Sequence, residues 1–174
     1  GCEWGCFDYS QQEPRLVVHY ASLDQDASVF NVKDAYNTGN ADFHTIVAKM
    51  ANIPRLQAKT INLGLFYGMG KAKLQAELGV SKEKSEELFS LYHARVPFVK
   101  SLMKSVSNRA QHRGQIRTLL GRLCRFHLWE PNSFGMHKAL PFEQAVQEHG
   151  PGIKRAYTYK ALNKLIQGSA ADMT

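Results

Sequence analysis

The segment PRLQAKTINLGLFYGMG, residues 54–70, carries two cations four residues apart, then a run of apolar side chains, then a ring followed by glycine. An α-helix advances about 100° per residue, so positions four apart drift by only about 40°. Arg55, Lys59, Leu63 and Tyr67 therefore form one slowly winding edge, roughly 18 Å long. Ala58, Ile61 and Leu65 fall on the other side, where they can pack on a core. Two cations near a helix N-terminus add to its positive end, at a cost of roughly a few tenths of a kcal/mol unless an anion is bound. The edge repeats the chemical order of a nucleoside triphosphate, anionic tail first and flat base last. On spacing alone, an amphipathic helix with two solvated cations is the simpler reading. A phosphate-cradling loop at GMGK is rejected, because Leu65 stands where that pattern needs Gly and Ala72 where it needs Ser or Thr.

Outward from this helix the chain alternates helical stripes with turn signals. Residues 3–9 read as a short buried strand, with Trp4, Cys6 and Phe7 leading to Asp8. A helix is predicted from about Glu13, since Pro14 is tolerated in a first turn and Leu16, Val17, Tyr20 and Ala21 have helical spacing. Residues 24–41 are polar, contain NTGN and read as a loop. Asp42 is a candidate cap for a helix through Met50, and Ser81 for another that runs to about Arg95 and ends at Pro97. Val99, Leu102, Met103, Val106 and Ala110 form a further stripe. After Gly114, QIRTLLGRLCRFHLW reads as a hairpin around Gly121-Arg122. Residues 130–152, with Pro131, Pro141 and Pro151, look like an exposed insertion, and 153–172 like a basic closing helix.

The composition is that of a globular chain: 44% hydrophobic and 21% charged residues in 174. No apolar run approaches the roughly 20 residues that span a bilayer, so no membrane partner is expected. Cys2, Cys6 and Cys124 make neither a disulfide framework nor a zinc pattern, which points to a reducing, cytoplasmic setting. The net charge of +7 suits a polyanionic partner without choosing one. The absence of an initiator methionine and the stop within a helical pattern read as a fragment.

The pattern Arg55-x-x-x-Lys59-x-x-x-Leu63-x-x-x-Tyr67-Gly68 closely resembles the fingers motif of family A DNA polymerases, the DNA polymerase I type. DYSQQEPR at 8–15 is similar to the palm motif that precedes it there. DFHT at 42–45, TLLGR at 118–122 and NKLIQGSAAD at 163–172 resemble further landmarks, all in family order. The resemblance implies an α+β, mostly α fold: a helical fingers subdomain inserted in a truncated antiparallel palm, the right-hand polymerase architecture. It implies partial palm at 1–40, fingers with hairpin and insertion at 41–152, and a return helix at 153–174. The second catalytic aspartate would lie beyond Thr174, so the isolated chain is expected to be inactive.

What the resemblance implies for individual residues follows. Asp8, with the backbone carbonyl of Tyr9, would ligate magnesium, of which the complete enzyme would hold two ions. Arg55 and Lys59 would hold the triphosphate, Lys59 as general acid to pyrophosphate, with His44 assisting. Gln11 and Glu13 would lie at the sugar, Glu13 bonded to Tyr67 and excluding a 2′-hydroxyl. Leu63 and Tyr67 would line the base pocket. Asn163 and Gln167 would read the minor groove of a DNA primer-template, dNTP being the other partner. Leu63 departs from the family's usual Phe or Tyr, and Tyr159 from a common arginine. With a long 127–152 segment, these suggest a phage or viral member working in the host cytoplasm. Single-subunit RNA polymerase and a non-catalytic nucleic-acid-binding module are the competing readings. No oligomer is indicated.

Overall fold

A computed structural model describes the chain except for residues 1–3, 7, 40, 67, 68, 70 and 134. Helix α1 (Gln12–Leu23) begins two residues before Pro14 and buries Leu16, Val17, Val18 and Ala21. Residues 24–41, expected as a loop, instead contain α2 (Phe30–Thr38). Asp26 starts that segment by accepting from the Ser28 N–H, and Val29 and Val32 are both fully buried. Two buried valines three apart outweigh a polar composition, because packing rather than propensity decides short helices.

Asp42 caps α3 (Phe43–Ala51), its carboxylate accepting from the His44 N–H. Helix α4 (Arg55–Phe66) is the one the opening segment predicts, with Ala58, Ile61 and Leu65 buried. Then come α5 (Lys71–Leu78), which the sequence reading did not resolve, and α6 (Lys82–Arg95), capped by Ser81 as expected. Pro97 does end α6, yet it also opens α7 (Pro97–Arg113) from its first turn, where a missing N–H costs nothing. Val99, Leu102, Val106 and Ala110 are buried along α7.

The expected hairpin is present: β1 (Gln115–Arg117) pairs antiparallel with β2 (Leu123–Arg125). The segment expected as an exposed insertion is mostly exposed, and its described residues include regular elements. Strand β3 (Leu128–Pro131) lies between β4 (Leu140–Pro141) and β5 (Ile153–Arg155), with α8 (Phe142–His149) between β4 and β5 in the chain. Trp129 meets Phe142 edge-to-face and carries the Arg155 guanidinium 4.5 Å above its ring. The closing segment is therefore a strand first; its helix, α9, runs from Ala161 to Met173.

The start of the chain departs from expectation. Residues 4–6, 8 and 9 form no strand, and Trp4 is 97% exposed. A strand must pair its backbone groups laterally, and no strand among the described residues lies beside this one. The rest is α+β and mostly helical, as expected. A continuous core joins α1, α3, α4, α6, α7 and α9, with Phe43, Phe66, Tyr92 and Phe98 at its centre.

Candidate nucleotide-binding site

Helix α4 turns its two cations outward because its opposite face is apolar. Arg55 and Lys59 are exposed, Leu63 is half-buried, and Ala58 and Ile61 are fully covered. Tyr67, the far end of the expected edge, and its expected bond to Glu13 lie outside the described residues; Glu13 itself sits in the first turn of α1.

Against the first turn of α4 lies the start of α3. The Asp42 carboxylate accepts from Arg55 Nε at 2.7 Å and from Thr45 Oγ1 at 2.5 Å, while also capping α3. Burial alone would raise this carboxyl, but the bonds from Arg55 and Thr45 and the Arg55 charge bring it down to about 2. Arg55 is thus fixed through Nε, and its fork is steered rather than freely swinging.

His44 is almost fully buried, at 8% exposure, with Nδ1 3.1 Å from Asn62 Nδ2. Its pKa is lowered, chiefly by burial; Asp42 opposes this, and Arg55 and Lys59 add to it. Asn62 Oδ1 in turn accepts from the buried Tyr92 hydroxyl at 2.5 Å. Sequence reasoning missed Asn62 and Tyr92. The available signal was an amide between Ile61 and Leu63 on the inner face of α4, where an apolar side chain is the norm.

Gln11 is expected at the sugar, but its amide is occupied by the protein. Nε2 donates to the Ala41 carbonyl at 2.7 Å, and Oε1 accepts from the Phe43 N–H at 2.8 Å and from the Tyr36 hydroxyl at 3.0 Å. Gln11 adopts φ +55°, so the chain reverses sharply between Asp8 and α1. It straps the Asp8 segment to the start of α3.

Asp8 is exposed, and the Tyr9 hydroxyl donates to the Met173 carbonyl at 3.3 Å. An accessible carboxylate beside a backbone carbonyl offers the hard oxygen donors that magnesium takes, the remainder commonly coming from water and substrate phosphates. Among the described residues no cluster of three or more His, Cys, Asp or Glu side chains is arranged to hold a metal, so Asp8 would supply only part of a coordination shell.

The closing helix packs against the end of α4. Asn163 Nδ2 donates to the Phe66 carbonyl at the end of α4, at 3.3 Å, and Gln167 is exposed one turn further on. Beyond it the TLLGR turn locks onto α9. Arg122 reaches the Asp172 carboxylate and the Gly168 carbonyl, each at 2.6 Å, and the Leu119 N–H donates to Ser169 Oγ at 3.0 Å. The five landmarks read from the sequence are packed into one body.

The sequence profile of DNA polymerase family A matches residues 2–174. This chain belongs to that family. A DNA-directed DNA polymerase of Pseudomonas phage M6 is 33% identical, covering 100% of this chain and 29% of the phage enzyme. DNA polymerase I of Mycobacterium tuberculosis H37Rv is also 33% identical, over 95% of this chain and 17% of that protein. Among solved structures, the POL domain of Pol1 from M. smegmatis, in complex with DNA primer-template and dNTP, superposes with a TM-score of 0.67 at 30% identity, covering 95% of this chain and 27% of that one. The chain thus spans less than a third of these family A relatives. No helix among its described residues is long and apolar enough to cross a membrane.

Proposed function

We propose that this chain forms the nucleotide grip and part of the catalytic floor of a template-directed DNA polymerase, phage-encoded and working in the host cytoplasm. The observation that carries the reading is the exposed Arg55–Lys59 edge of α4 with Asp42 and His44 packed beside it. Membership of family A supports a nucleoside triphosphate as the substrate of that edge. Residues 1–40 and 153–174 would belong to the palm and 41–152 to the fingers.

In this reading Arg55 and Lys59 bind the triphosphate tail, and Lys59 hands a proton to the departing pyrophosphate. His44 donates a hydrogen bond to the same tail. Leu63 packs on sugar and base by dispersion, and Tyr67 closes the base pocket. Glu13 crowds the 2′ position and so rejects ribonucleotides on steric grounds. Asn163 and Gln167 meet the minor-groove acceptors shared by all correct pairs, in a primer-template duplex. Asp8 and the Tyr9 carbonyl would hold magnesium; the two ions of a complete site would neutralise charge on the reacting phosphate and activate the attacking hydroxyl.

The test is steady-state primer extension by a polymerase carrying this chain. Lys59→Ala is expected to lower kcat/KM for dNTP by about 10²-fold or more, the scale of losing one preorganised charge donor. Asp8→Ala is expected to abolish extension while leaving primer-template binding intact. Unchanged kcat/KM in Lys59→Ala would overturn the reading. Equal use of ribonucleotides would transfer it to RNA synthesis. Duplex binding without extension in the native protein would reduce it to a binding module.

A further inference from the structure

We infer that Asn62 and Tyr92 are positioning residues that fix His44 in the tautomer with its proton on Nε2, so that the neutral imidazole presents a donor to the nucleotide's phosphates. The inference rests on the nucleotide site proposed above and deepens it.

The argument is a proton count along a buried chain. Tyr92 is fully buried, and its hydroxyl proton needs an acceptor; among the described residues that acceptor is Asn62 Oδ1, at 2.5 Å. An amide has its acceptor at one end and its donors at the other. With Oδ1 committed to Tyr92, the group facing His44 Nδ1 at 3.1 Å is the Nδ2 amine, which can only donate. Nδ1 must therefore accept, and a neutral ring then carries its single proton on Nε2. The opposite amide orientation would leave the Tyr92 proton without a partner among the described residues. Asn62 is itself 0% exposed, so water does not offer it an alternative partner.

The consequence concerns the neutral ring. Burial and the Arg55 and Lys59 charges favour the neutral form, with Asp42 opposing. A neutral histidine of the other tautomer would turn a lone pair toward incoming phosphate oxygens and repel them. Tyr92 on α6 and Asn62 on α4 thus convert a histidine without a positive charge into a hydrogen-bond donor. Neither side chain needs to touch the substrate.

The discriminating variant is Asn62→Asp in the full polymerase. It keeps the acceptor for Tyr92 but replaces the donor with a carboxylate, which holds a proton on Nδ1. While His44 is doubly protonated, Nε2 still donates and KM for dNTP should match the native value. As the pH rises through the imidazole range the remaining proton stays on Nδ1, and KM should climb about tenfold above native, with kcat much less affected. In a His44→Gln background the same substitution should have no such pH-dependent effect. A KM that tracks the native enzyme across that range, or a rise that persists with Gln at 44, overturns the inference. The ¹⁵N spectrum of His44 in the native polymerase gives a second readout that needs no stable variant at position 62: the Nε2-protonated tautomer supports the inference and the Nδ1-protonated tautomer refutes it. Failure of the underlying site looks different, since Lys59→Ala and His44→Gln would then both leave KM for dNTP unchanged.

Discussion

Asp42 does three jobs with two oxygens: it caps α3, holds Thr45 and tethers Arg55. Its cap role was legible, because an Asp just before an apolar helical stripe is a recurrent start signal. Its hold on Arg55, thirteen residues on, was not, since nothing local encodes that approach. Asp42→Ala is expected to cost about 1 kcal/mol of stability, the usual worth of a cap, read from the denaturant midpoint. The folded-state carboxyl is held down to about 2, below the ordinary value of about 4. Its contribution is therefore complete above that ordinary value and disappears as the pH falls through about 2. The gap between native and variant should close over that acid window and stay level up to neutrality. Leu63 makes a separate prediction. Lacking a ring and hydroxyl, it should discriminate strongly against dideoxynucleotides, and Leu63→Tyr should relax this by an order of magnitude or more in a competitive incorporation assay; equal ratios would contradict it.

At the scale of elements, the sequence was most informative where an apolar stripe and a cap agreed. The helix begun by Asp42 met that condition; Ser81 offered a cap, the buried face of α4 an apolar stripe, and the hairpin after Gly114 a turn signal. It was least informative where pairing partners are remote. Residues 3–9 look like a strand by composition, but lateral partners decide strands. The sheet of β3, β4 and β5 was hidden for the same reason: each strand is too short to show alternation. Glycine has a definite use at the junction of α9 with the TLLGR turn. A Cβ on Gly168 would stand 2.7 Å from Thr118 Cγ2, closer than carbon atoms tolerate. Gly168→Ala gains helix propensity but forces these elements apart, and the expected net loss is about 1 kcal/mol. Thr118→Ser removes the offending methyl and keeps the hydroxyl. The double variant should therefore be more stable than Gly168→Ala alone, and additive losses in a double-mutant cycle would show that the contact is not responsible.

Across the whole molecule, α9 acts as the clasp. Its Ser169 hydroxyl is shared between Tyr20 of α1, at 2.7 Å, and the Leu119 N–H of the hairpin turn. Its Asp172 carboxylate accepts from the Leu120 N–H at 3.2 Å and pairs with Arg122. The Thr118 hydrogen bond, followed by those from Leu120 and Arg122, keeps that carboxyl below its usual pKa against the opposing effect of burial. Asp172→Asn should loosen the turn without unfolding the core, so the Leu119 and Leu120 amides are expected to exchange hydrogen faster while those in the middle of α7 do not change. Uniform acceleration in all three places would mean that Asp172 supports the core instead.

The Gln11 strap has a consequence for timing. Because the Gln11 amide, in the turn that leaves Asp8, grips the backbone entering α3, the Asp8 segment and the start of α3 are geared together. Any sway of α3, with its capping carboxylate and imidazole, is handed on to the carboxylate three residues upstream. In the proposed reading, closing on a phosphate tail would draw the Asp8 segment along in the same stroke, so that neither end is ready before the other.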